Sequence, residues 1–182
     1  TIQKNIYYQP GDEGFEKERR FFKFFIWVAI IALVGYGVYS FIEKNIPEVE
    51  DLSQAIPITE NAQQHISVGS THEPYNSNPP TSGPHYEQTA RSGFRTDIIP
   101  DEHIIHNLEH GDIWISYHPR VSDEAKDELE QFGAAKVIIT EREANETDIA
   151  LAAWGRLDTF NIENGVFPEQ RIRDFINRHI NK

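Results

Sequence analysis

The sequence predicts an α+β fold, with a single N-terminal transmembrane helix followed by a compact extracytoplasmic domain of mixed helices and strands. Three observations carry that expectation. Residues 24–42 (FFIWVAIIALVGYGVYSFI) run for nineteen positions without a charge, close to the ~20 that a helix needs to cross a hydrocarbon core. Further on, IWISY (113–117) and KVIIT (136–140) have the alternation and β-branched content of strands. Two other stretches, opened by Ser122 and Pro168, have helical period and helix start signals.

Of the 182 residues, roughly 120 remain for a folded part, enough for one domain with a single core. The chain has neither cysteine nor methionine. Disulfides, thiolate metal sites, iron–sulfur clusters, cysteine nucleophiles and thioether copper ligands are thereby excluded, and imidazole, carboxylate and phenol remain as metal donors. Such a composition suits an oxidising compartment. From Glu43 onward twelve basic and twenty-five acidic residues give a net charge of −13. This charge repels a phosphate backbone and argues against nucleic acid, while it attracts cations or a basic protein at the outer face.

In order, residues 1–20 read as an irregular cytoplasmic tail containing Pro10 and Gly11, with Thr1 as the residue left after loss of an initiator methionine. Residues 21–43 form the transmembrane helix, with aromatic residues at both ends. Lys17, Arg19, Arg20 and Lys23 flank its N-terminal side against Lys44 alone on the other, which places the tail in the cytoplasm and the domain outside. Residues 44–63 hold Pro47 and Pro57 with little periodicity and read as a linker. Residues 64–182 form the His-rich domain. There Ile66 and Val68 suggest a short strand, and 65–84 a functional loop rich in Gly, Pro, Asn, Ser and Thr. Strand 113–117 stops at Pro119, and Ser122 caps a helix that Gly133 ends. After strand 136–140, residues 148–154 form a third strand or a short helix and 156–160 a further strand. Pro168 opens a last helix with Ile172, Phe175, Ile176 and Ile180 on one face.

The chemistry concentrates in 103–118 (HIIHNLEHGDIWISYH), which holds four of the eight histidines. His106 and His110 are four apart, so their imidazoles share a side on either a helical turn or a strand. Glu109 joins them only on a helix. The letters match H-x-x-E-H, in which two histidines hold zinc and the glutamate is a base. That motif requires a sustained helix, and Gly111 followed at once by a strand pattern argues against one. With His72 and His85 the cluster offers a candidate metal site composed of His72, His85, His106, His110 and Glu109. The ion would be divalent, copper or zinc by donor type. Glu73, Asp101, Glu102 and Asp112 are candidate outer carboxylates. His65, His118 and His179 read as bystanders, and the Asn145-Glu146-Thr147 sequon as a chance match. Phosphate-binding loops, nucleophile elbows and dinucleotide fingerprints are absent from the sequence.

His72 with Tyr75, PPTSGPHY (79–86), HNLEHG (106–111) running into a strand that ends at Tyr117-x-Pro119, and AAWGRLD (152–158) together resemble a bacterial family known only as a domain of unknown function. The resemblance spans about residues 64–178. Asp112 and Trp114 stand where the family has smaller or apolar residues. It implies a membrane-anchored, secreted or lipoprotein-like protein, with His72, His85, His106, Glu109 and His110 as the characteristic polar set and no established activity. Two functions follow as expectations. One is a metal-binding domain held at the bacterial inner membrane on a single pass. The other is an accessory subunit of a larger respiratory or photosynthetic membrane complex, with no catalysis of its own.

Overall fold

The computed structural model describes residues 13–45 and 50–182. The chain forms two units, the first ending at Val49 and the second running from Glu50 to Lys182. Most of the expected irregular tail lies outside the described residues.

The first unit is helix α1, Glu13–Asn45. It begins earlier than the expected 21, because Glu, Lys and Arg are good helix formers and nothing in 13–20 stops the turn. Its segment Arg19–Phe41 is long and apolar enough to cross a membrane, and none of its most apolar stretch is buried within the structure. Such a surface is stable in lipid or against a partner, not in water.

The second unit is a mixed α+β domain. Its elements are β1 (Gln54–Ala55), β2 (His65–Ile66), β3 (His85–Tyr86), β4 (Gly93–Arg95), α2 (Asp101–Glu109), β5 (Ile113–Tyr117), α3 (Asp123–Glu130), β6 (Val137–Glu141), β7 (Ile149–Ala153), β8 (Arg156–Phe160) and α4 (Glu169–His179). Six strands form one sheet in the order β1-β8-β7-β5-β6-β4. β4, β6 and β5 run parallel, whereas β7 pairs antiparallel with β5 and with β8, which in turn pairs antiparallel with β1. The segment expected as a strand or a short helix at 148–154 is therefore a strand over Ile149–Ala153, fixed by pairing on both sides. Residues 50–63, expected as linker, contribute β1 as the edge of this sheet.

Strand alternation sorts the core into two layers. Ile113, Ile115, Val137, Ile139, Ile149 and Leu151 face α3 and α4, meeting Leu129, Ile172 and Phe175. Trp114, Ile138, Ala150 and Ala152 face the other way, against Ile104 and Leu108 of α2. Ser122 caps α3 as expected, its side chain accepting from Ala125 N. Asn145 is 5 % exposed and bonded to Ser116 and Arg142, so the sequon asparagine is part of the interior.

Gly111, followed at once by a strand pattern, argues against a sustained helix here, and α2 nevertheless carries His106 and Glu109. The helix ends at Glu109, and Gly111 takes a φ of +78° in the turn that follows. A glycine in that left-handed conformation terminates a helix without preventing the turns before it.

Candidate metal centre

α2 lays one face on the sheet through Ile104 and Leu108, leaving His106 and Glu109 to meet a two-stranded ribbon made of β2 and β3. In that ribbon the strands run parallel, with His65 in register with His85 and Ile66 with Tyr86. Residues in register present their side chains to the same face, which brings His65 beside His85. α2 is pinned to the ribbon where His106 Nδ1 meets the Tyr86 carbonyl at 2.8 Å. The three imidazoles form an almost equilateral triangle, with ring centres 5.0 Å (His65–His85), 4.9 Å (His65–His106) and 5.1 Å (His85–His106) apart.

With Glu109 they complete a group of four whose potential ligand atoms all lie within 4.8 Å of one another. Two of the rings are held in one tautomer by backbone carbonyls. A carbonyl oxygen only accepts, so the contact of His85 Nδ1 with Gly83 O at 2.7 Å and that of His106 Nδ1 with Tyr86 O place the proton on Nδ1 in both. The lone pair of each ring is thereby on Nε2; that of His85 makes no hydrogen bond, and that of His106 meets His110 Nε2 at 2.9 Å. His85 Nε2 lies 2.9 Å from Glu109 Oε2, yet the nitrogen is buried and makes no hydrogen bond. The two atoms are close without being aligned, as donors converging on a third point would be. Burial, followed by the neighbouring His85, His110 and His65 rings, lowers the pKa of His106 against the opposing effect of the Tyr86 carbonyl, favouring the neutral form that binds a cation.

The loop ahead of β3 is built to hold this position. Residues 79–86 are buried, and among the described residues the buried side-chain polar atoms without a partner are Ser77 Oγ, Thr81 Oγ1, Ser82 Oγ and His85 Nε2, all in or beside it. Tyr75 donates to Pro84 O at 2.8 Å, and its ring packs close against Gly83. Gly155, in the turn of the β7–β8 hairpin, donates to Thr81 O at 3.2 Å, and the Trp154 ring meets His85 edge-on at 6.3 Å. The PPTSGPHY, HNLEHG and AAWGRLD segments thus converge on one place.

The expected ligands are distributed unequally. His85, His106 and Glu109 come together. His110 is exposed and touches the group through His106, Nε2 to Nε2 at 2.9 Å. His72 lies elsewhere, beside Glu102 at 3.4 Å and the Tyr75 ring at 4.6 Å. It lines a cleft of about 340 Å³ together with Gln64, Ile66 and Pro84. These flank His65 and His85 in sequence and, by strand alternation, face away from them. His72 therefore backs the loop that presents His85. Asp112, read as an outer carboxylate, instead accepts from Asn107 at 2.9 Å, and Asp101 pairs with Arg142 at 2.8 Å.

His65 is the residue that sequence reasoning missed, although one signal was present. If Ile66 and Val68 belong to a strand and face one side, His65 faces the other. His179, also read as a bystander, approaches Asp51 at 3.4 Å, at the opposite end of the domain sequence.

The fold and site define a mixed α+β domain carrying a candidate three-histidine, one-carboxylate metal centre. Residues 65–182 match the family described as "Protein of unknown function (DUF3105)", and the chain belongs to that family. No curated protein and no solved structure matches the chain.

Proposed function

We propose that this protein binds a divalent transition metal on a membrane-anchored domain, with His65, His85 and His106 as imidazole ligands and Glu109 as the carboxylate. The convergence of four ligand atoms within 4.8 Å, two of them on rings locked by backbone carbonyls, carries this reading. Three neutral imidazoles and one carboxylate suit zinc or copper among common ions, and the donor set lacks the all-oxygen character that favours magnesium or calcium. Metal analysis of the full chain, purified in detergent and dialysed against zinc or copper, tests it. One equivalent retained by wild type and lost in His85→Ala supports the site; no retained metal in wild type ends the proposal.

The apolar segment Arg19–Phe41 supports the anchoring, and the basic residues before Phe24 favour a cytoplasmic N-terminus with the domain on the outer side. The exposed aromatic and aliphatic surface of α1 also suits packing against other membrane helices. We infer from it a second reading, compatible with the first, in which the protein is an accessory subunit of a membrane complex. Co-purification in mild detergent tests that reading, and a monodisperse single chain would end it.

A further inference from the structure

The four converging ligands do not explain His110, and the valence of its neighbour shows what it does. A neutral imidazole carries one N–H and one lone pair. His106 has its N–H at Nδ1, donated to Tyr86 O, so Nε2 holds the single lone pair of that ring. His110 Nε2 stands 2.9 Å from it, and the only hydrogen bond these two atoms can form has His110 donating and His106 accepting. The lone pair that His106 would give to a metal is therefore already engaged. His85 differs, since its Nε2 has no hydrogen bond.

The geometry points to His110 as a latch on the metal centre: its imidazole caps the His106 Nε2 lone pair and must swing away before an ion can be bound. The inference rests on the proposed metal site. The backbone around His110 confines the motion to the side chain. His110 N bonds to His106 O and Asn107 O, its carbonyl accepts from Lys136 Nζ at 3.2 Å, and the next residue, Gly111, accepts from Asn181 N at 2.8 Å. A Cβ on Gly111 would lie 2.8 Å from Asn181 Cα, so the chain there is closely packed. The imidazole itself is exposed, as is His65 on the far side of the triangle, while His85 and His106 are buried. The ring can leave into solvent without disturbing the core, and the exposed edge it vacates is a route by which an ion reaches the buried pair.

A latch and a ligand make opposite predictions. If the metal-competent form is only the fraction with His110 swung out, the latch lowers the apparent affinity by that fraction. Removing it strengthens binding, whereas removing a ligand weakens it. The test uses the full chain in detergent, with Co(II) as the probe, its affinity measured by chelator competition and its coordination by visible absorption. His110→Ala is expected to bind Co(II) about two- to ten-fold more tightly than wild type, the factor for one net hydrogen bond, with the spectrum of the bound ion unchanged. His110→Gln, whose amide can still donate towards His106 but is a poor ligand, is expected to return to wild-type affinity. Weaker binding or an altered spectrum in His110→Ala would make His110 a ligand and overturn the latch, and unchanged affinity would overturn it too. Wild type that takes up no Co(II) would fail the metal site itself, a result distinct from either.

Discussion

His85 Nε2 and Glu109 Oε2 stand 2.9 Å apart with no hydrogen bond between them, although the histidine is fully buried. The contact joins β3, where the buried loop ahead of it ends, to the last residue of α2. An arrangement that leaves a buried nitrogen unsatisfied costs about 1–3 kcal/mol, and a cation shared by the two atoms would offset that cost.

Replacing His85 should therefore remove the metal. His85→Ala is expected to lower affinity by at least roughly ten- to hundred-fold, the range already produced by losing a partner of a ligand. His72→Ala, on the other face of the ribbon, is expected to retain a full equivalent. Metal content after dialysis checks both, and equal losses in the two variants would place His72 in the site.

Stability of the metal-free protein should depend on pH through His106 and His179. Burial holds both imidazoles below the ordinary histidine value. Between about 6.5 and those lower values the unfolded chain binds more protons than the folded one, so stability is present above that window and is lost as pH falls through it. Asp51 and Asp148, held low despite the opposing effect of burial, lose their contribution only in the acid range below about 3.9. Melting temperature in chelator should thus fall between about pH 7 and pH 5, less steeply in His106→Gln. A flat profile in wild type would exclude both histidines as its source.

Gly83 is expected to tolerate no side chain. Its φ is +131°, and a Cβ there would lie 2.7 Å from the Tyr75 ring, while its carbonyl orients His85. Gly83→Ala should cost at least about 1–3 kcal/mol from backbone strain alone and should also weaken metal binding. Gly69→Ala, also at a positive φ (+82°) but with open space around it, should lose less stability and no metal. Thermal melts with and without added ion separate the two effects.

Asn145 should remain unmodified even in a host that glycosylates sequons, because its amide is buried against Ser116 and Arg142. Asn145→Ala leaves those partners unsatisfied and should destabilise by about 1–3 kcal/mol. Intact mass of protein from a glycosylating host provides the first check, and denaturant unfolding the second.

Membrane orientation is open to direct measurement. With the N-terminus cytoplasmic, protease added to cells whose outer layers have been opened should degrade the domain and spare the N-terminal epitope. Loss of the epitope with the domain protected would reverse the assignment.

What the sequence determined by itself was whatever local pattern encodes. An uncharged run of membrane-spanning length, the alternation in 113–117, the Ser122 cap and the amphipathic face of α4 all report on neighbours within a few positions, and each corresponds to an element of the structure. His106, Glu109 and His85 were legible as candidates from residue type and motif. The grouping of the site was decided only by tertiary structure. β2 and β3 are two residues each, too short for any periodicity, and their parallel register is what sets His65 beside His85 across the loop 67–84. His72, in the loop between those strands, instead lines the cleft with Gln64, Ile66 and Pro84. Local pattern cannot say which short extended segments will pair, since that depends on closing the loop between them and on the helix packed over the result. For the same reason β1 and β4, which exist through the strands they border, were invisible before the sheet was in place.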